Sequence, residues 1–110
     1  MQNLFSYGTL QDQKVQIETF GRLLKGSPEV LISYRLDSIK IEDEYVVQTS
    51  GETHHPILRF SGNNADEIKG LAFEVTEEEL IQTHAYEAEH YKRILVELKS
   101  GKNAWVYVAK

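Results

Sequence analysis

Near the start of the chain an apolar run, Leu4-Phe5-Ser6-Tyr7, stops at Gly8 and hands over to Thr9-Leu10. The spacing predicts a strand over about residues 3–7, with Phe5 and Tyr7 on one face and Leu4 and Ser6 on the other. Apolar side chains on both faces place such a strand inside a sheet that is covered on both sides. Thr9 then stands where a helix N-cap stands, with Asp12 three residues on in the manner of a weak capping box. A strand that breaks at glycine into a helix start gathers several backbone N–H groups in one small concavity. The positive end of the helix dipole points to the same place, so Tyr7-Gly8-Thr9-Leu10 is a candidate anion-binding turn for a carboxylate or phosphate.

Downstream, Leu10, Ile17, Phe20 and Leu24 recur at helical steps and predict a core-facing stripe, ended at Gly26-Ser27-Pro28 or earlier at Gly21. Extended segments are expected at Val30–Leu36, Ile39–Ile41, Tyr45–Thr49 and His55–Phe60. The last begins at an edge, where Pro56 does least harm. Ser61-Gly62-Asn63-Asn64 is a turn, and Ile68–Val75 an alternating strand with Leu71, Phe73 and Val75 facing in. Gly70 within it predicts a bulge or a close approach to the backbone. Thr76-Glu77-Glu78-Glu79 reads as a capping box opening a helix to about Tyr86. Tyr91–Leu98 and Ala104–Ala109 then form a closing hairpin, with only one of Trp105 and Tyr107 expected to point inward.

Strand, helix, several strands, helix, hairpin is the order of an α+β domain rather than of a doubly wound sheet. Short strands with bulge-type glycines suit a small closed or nearly closed barrel. At 110 residues the chain is expected to form one domain, residues 1–110, around one core. It has no internal repeat.

Composition narrows the function classes. The net charge of −5, with acidic clusters at Glu42-Asp43-Glu44 and Glu77-Glu78-Glu79, argues against a nucleic-acid partner, which demands a basic face. No apolar run approaches the roughly 20 residues of a membrane span, and Gln2-Asn3 is the wrong start for a signal peptide. The absence of cysteine excludes a disulfide framework, a thiolate nucleophile and a zinc–thiolate site. A cytoplasmic protein without a membrane partner is the expectation.

Nucleophile patterns are lacking: Ser6, Thr9 and Ser27 have no partner signature, and no Walker loop or nucleophile elbow occurs. His84, Glu87 and His90 lie three apart and His54-His55 lie elsewhere, but zincin spacing is His-Glu-x-x-His on one helix face, so no metal is expected. What remains is Tyr86-Glu87-Ala88-Glu89-His90-Tyr91, a carboxylate at a helix-to-strand junction between tyrosines. A glutamate at a helix C-terminus sits against the dipole, and burial among aromatics would raise its pKa toward the range of a general acid–base. A solvated glutamate is the plainer alternative, and Glu89 is then an equal candidate. Tyr91 either lines a cavity and orients Glu87 or packs in a sheet wall. Arg93 either neutralises a bound anion or pairs with a surface carboxylate.

Taken together, these stretches resemble the γ-glutamylcyclotransferase-like family, which includes the AIG2-like proteins and short bacterial members. Tyr7-Gly8-Thr9-Leu10 matches its N-terminal Tyr-Gly-Ser/Thr-Leu motif, and Tyr86-Glu87 followed by Tyr91-Lys92-Arg93 matches its aromatic-Glu and Tyr-x-Arg pattern. Gly70 to Val75 and Ala104 to Val108 resemble two of its strands, and His55-Pro56 stands in the place of a Tyr-Pro. The resemblance implies a small mixed β-barrel with flanking helices and a cavity between the first turn and the glutamate. It implies a substrate carrying a γ-glutamyl group, cyclised to 5-oxoproline with release of an amine or amino acid. Tyr7, Gly8, Thr9 and Leu10 would hold the γ-glutamyl moiety, Tyr91 would line the cavity, and Glu87 would be the acid–base; no cofactor is implied. A non-catalytic module that binds a small carboxylate on the same fold is the alternative.

Overall fold

The computed structural model describes residues 1–40, 54–87 and 91–109, without the side chains of residues 9, 39, 40, 54, 55 and 84–87. Among the described residues, seven strands and two α-helices follow in the order β1 (Gln2–Ser6), α1 (Gln13–Phe20), β2 (Lys25–Ile32), β3 (Tyr34–Lys40), β4 (His54–Phe60), β5 (Glu67–Val75), α2 (Glu77–Glu87), β6 (Tyr91–Glu97) and β7 (Asn103–Ala109). A 3-10 turn, Thr9–Gln11, lies between β1 and α1. The α+β class is as the element order implied. The strand expected at Tyr45–Thr49 lies outside the described residues, as does the acidic run Glu42-Asp43-Glu44.

One mixed sheet has the order β2-β5-β1-β7-β6. β1 runs antiparallel to β5, pairing Leu4 with Phe73, and parallel to β7, pairing Leu4 with Trp105. Central position explains the two apolar faces of β1. Leu4 joins a cluster with Val15 of α1, Leu80 of α2, Phe73 and Val75, whereas Phe5 joins Leu31, Leu58, Ala72 and Val106 on the opposite side. Both side chains are essentially fully buried, and each contributes about 2–3 kcal/mol of apolar burial. Ala72, expected to face outward, is buried for the same reason: β5 too is covered on both sides.

The described strands do not close into the expected barrel. β3 and β4 form a separate antiparallel ribbon, with Tyr34 opposite Phe60. The break falls at Ser33, whose φ of 70° is in the left-handed region. Its N–H donates to the Asp66 carbonyl at 3.0 Å, and its carbonyl accepts from Ser61 and Gly62 at 2.8 and 3.3 Å. The segment Val30–Leu36 is therefore two strands meeting at a corner, and the second leaves the sheet.

Two further expectations give way near α1. Gly26-Ser27-Pro28 is no helix stop but part of β2, where Pro28 lies opposite Leu71. An edge strand tolerates the missing N–H. The helix ends at Gly21, which adopts φ 73° and donates its N–H to the Ile17 carbonyl at 2.8 Å. With Leu10 in the 3-10 turn and Leu24 beyond Gly21, the 3.6 period does not run through all four predicted positions. Ile17 is half exposed, and Val15 and Gln16 are buried instead. In the closing hairpin, Trp105 and Tyr107 stand two residues apart, hence on one face, and both pack on the cluster that holds Leu4.

Candidate functional site

The chain reverses after β1 with six residues, 7–12, before α1 begins. Thr9 opens the 3-10 turn rather than capping α1; the cap is Asp12, whose carboxylate accepts from the Lys14 N–H at 2.8 Å. Gly8 closes the turn with its carbonyl, which accepts from the Gln11 N–H at 3.0 Å. The need for glycine here is steric. A Cβ on Gly8 would stand 2.8 Å from Cγ of Pro56, so the proline ring rests directly on the turn backbone.

Side chains from elsewhere fix the turn. The Tyr7 hydroxyl donates to the Tyr107 carbonyl on β7. Gln11 Nε2 donates to the Ser6 carbonyl at 2.7 Å, and Gln16 Nε2 to the Leu10 carbonyl at 2.8 Å. Leu10 itself is buried in the helix-side cluster. Opposite, Tyr91 opens β6 with its ring buried and its hydroxyl donating to the Pro56 carbonyl at 2.9 Å. Pro56 thus touches Gly8 with its ring and Tyr91 through its carbonyl. The structure brings Tyr7, Gly8, Leu10 and Tyr91 into one neighbourhood with Pro56 and Tyr107; the Thr9 side chain lies outside the described residues.

Glu87 is the last residue of α2, and its side chain, with those of His84 and Tyr86, lies outside the described residues, as do Glu89 and His90 entirely. The helix that carries it is fixed at its start by the expected capping box. Thr76 N–H donates to Glu79 Oε1 at 2.8 Å, and Glu79 N–H to Thr76 Oγ1 at 3.1 Å. Arg22 adds a two-pronged contact, Nε to Oε2 and Nη2 to Oε1 of Glu79, both at 2.7 Å. That guanidinium fork, helped by the Thr76 N–H, holds the Glu79 carboxyl below the usual glutamate range against the opposing effect of burial. Among the described side chains of α2, the buried ones are Glu79, Leu80 and Thr83. At 3.6 residues per turn, position 87 falls on the same stripe.

The Arg93 guanidinium stacks 5.0 Å over the Trp105 ring. A separate cavity of about 230 Å³ opens between the β3–β4 ribbon and the β6–β7 hairpin, walled by Tyr34, Leu58, Phe60, Lys92, Ile94 and Val108, and contains none of the predicted site residues. Among the described residues no cluster of three or more His, Asp or Glu side chains is placed to hold a metal, and no helix is long and apolar enough to cross a membrane. Sequence reasoning missed Gln11, Gln16 and the bracing part of Tyr107. The only trace of Gln16 is a polar residue set between Val15 and Ile17.

The fold is shared with known proteins. The fold matches the solution structure of an Arabidopsis thaliana protein with a TM-score of 0.71 at 21% identity, over 98% of this chain and 61% of that one. It matches a crystal structure of an uncharacterized protein from Pyrococcus horikoshii with a TM-score of 0.66 at 18% identity, over 99% and 78% of the two chains. A structure described as gamma-glutamyl cyclotransferase matches with a TM-score of 0.68 at 15% identity, over 99% and 66%. At such identities the likeness is one of fold. No curated protein sequence matches. The family model "Gamma-glutamyl cyclotransferase, AIG2-like" matches residues 4–110, from β1 through the closing hairpin, and the chain belongs to that family.

Proposed function

We propose that the protein is a γ-glutamylcyclotransferase, which cyclises the γ-glutamyl group of a γ-glutamyl-amine or γ-glutamyl-amino acid to 5-oxoproline. The α-amine of such a substrate is mostly an ammonium near neutral pH and has no lone pair to use. Glu87 takes a proton from it, the freed amine attacks the substrate's own γ-carbonyl carbon, and the tetrahedral adduct forms. The ring nitrogen of the adduct sheds its remaining extra proton to water, and the C–N bond to the leaving amine then breaks as Glu87 returns its own proton to that nitrogen. Because the attack is intramolecular, the protein's task is to hold the chain folded in attack geometry and to stabilise the oxyanion. Tyr7, Gly8, Thr9 and Leu10 grip the γ-glutamyl end largely through backbone groups, and Tyr91 walls the cavity.

The observation that carries this reading is the phase of α2: the inward stripe of Glu79, Leu80 and Thr83 continues at position 87. Family membership supports the choice of a γ-glutamyl substrate. The test is release of 5-oxoproline from a panel of γ-glutamyl compounds, followed by mass spectrometry. Glu87→Gln is expected to lower turnover by a factor of about 10² to 10⁴ while the circular dichroism spectrum is retained. Full turnover in that variant, with loss in Glu89→Gln, would transfer the role to Glu89. Saturable binding of γ-glutamyl compounds with no product from any of them would instead favour a carboxylate-binding module.

A further inference from the structure

Both halves of the proposed site lean on one short segment, the exit of α1. Gln16 is 3% exposed, and both ends of its amide are used. Nε2 donates to the Leu10 carbonyl at 2.8 Å, at the end of the binding turn, and Oε1 accepts from the Leu24 N–H at 2.9 Å. A buried primary amide is costly unless its hydrogen bonds are made, and an apolar side chain would fill the same place without that demand. Between Gln16 and Leu24, Gly21 turns the chain through its left-handed conformation. The next residue, Arg22, reaches the first turn of α2 through its fork on Glu79.

We propose that this segment, Gln16 to Leu24, is the spacer that sets how the Tyr7–Leu10 turn and the far end of α2 face each other, with Gln16 and Arg22 as positioning residues. The proposal rests on the reading that the proton-transfer group stands at the far end of α2, with Glu87 as its assigned residue. Its lever is geometric. Glu87 stands eight residues beyond Glu79 on one helix, about 12 Å at 1.5 Å per residue, so a tilt of about 5° at the fork moves position 87 by about 1 Å. Displacements of that size alter rates by up to about a hundredfold when reacting groups must be aligned. Gln16 acts on the other partner: it holds the carbonyl that ends the turn, so its loss loosens the grip on substrate rather than the aim of the base.

The two residues are therefore expected to move different constants. Arg22→Lys keeps the charge and loses the fork. It lowers kcat by about tenfold or more and leaves KM and the Kd of 5-oxoproline within about twofold. Gln16→Leu raises KM and that Kd by about tenfold and leaves kcat within about threefold. Should Gln16→Leu fail to fold, Gln16→Met carries the same expectation, because its unbranched, adaptable side chain follows the path of the amide and makes neither hydrogen bond. Variants with a lowered Tm but wild-type kcat and KM overturn the proposal, as does the same parameter moving in both. Glu87→Gln measured in parallel separates the two readings. If it remains active while Arg22→Lys is slow, the assignment of Glu87 fails and the spacer stands. If it is inactive while Arg22→Lys and Gln16→Leu are unaffected, the spacer fails and the assignment stands.

Discussion

The two strand-to-helix crossings among the described residues solve the same problem in opposite ways. From β5 to α2 the chain spends a single residue, Thr76, and from β1 to α1 it spends six, residues 7–12. The short crossing is largely self-sufficient. Thr76 and Glu79 satisfy each other's N–H groups across three residues, an arrangement that the sequence fixes locally, and Arg22 reinforces it from outside. The long crossing takes its shape mainly from elsewhere: Tyr107 accepts the Tyr7 hydroxyl, Gln16 braces the Leu10 carbonyl, and Pro56 lies against Gly8. On the proposed reading of the site, the contrast separates a joint that stabilises from a joint that recognises. A turn held by remote groups keeps its own backbone available for shape, which is what a binding surface requires.

The sharpest break in that contrast comes from Glu79→Ala, which removes the carboxylate shared by the capping box and the Arg22 fork. It is expected to cost about 2–3 kcal/mol of stability in urea denaturation while the Kd for 5-oxoproline stays near that of wild type. The same group gives a pH signature. Its carboxyl is held below the ordinary range chiefly by Arg22, so its contribution is fully present above the unfolded pKa of about 4.3 and is lost as the pH falls through the folded value. The urea midpoint of the wild type should therefore fall more steeply below that pH than the midpoint of Glu79→Gln.

Gly8→Ala tests the other crossing. Its methyl group meets the Pro56 ring, so something must move, at about 1–2 kcal/mol. Here the loss of 5-oxoproline affinity, read by calorimetry, should exceed the loss of stability. A Glu79→Ala variant that lost as much affinity as Gly8→Ala would erase the distinction between the two joints. The smallest effect belongs to Thr76→Ala: about 1 kcal/mol from one lost cap, with binding and turnover retained.

Features written within a few residues were legible beforehand. Thr76 with Glu79 identified the start of α2, and the closing hairpin expected at Tyr91–Leu98 and Ala104–Ala109 forms within a residue of those bounds. Gly70 announced a close approach, which the Ser6 carbonyl and the Phe5 ring make. Corners and ends were less legible, because tertiary pairing outweighed local preference. Ser33 broke a continuous β-rich segment, and Gly26-Ser27-Pro28, turn residues by composition, joined an edge strand because β5 offered them a partner.

The candidate site divides along the same line. The sequence by itself determined that the first strand breaks at Gly8 and that a helix opened by Thr76 runs to about Tyr86, since both follow from local signals. Only the tertiary structure decided what surrounds them. Tyr7 meets Tyr107 across 100 residues, Arg22 meets Glu79 across 57, and Tyr91 meets Pro56 across 35. No spacing rule links such positions. Their partners are chosen when the sheet brings β1 beside β7 and the ribbon against its face, and the hydrogen bonds form because groups buried together there must satisfy one another.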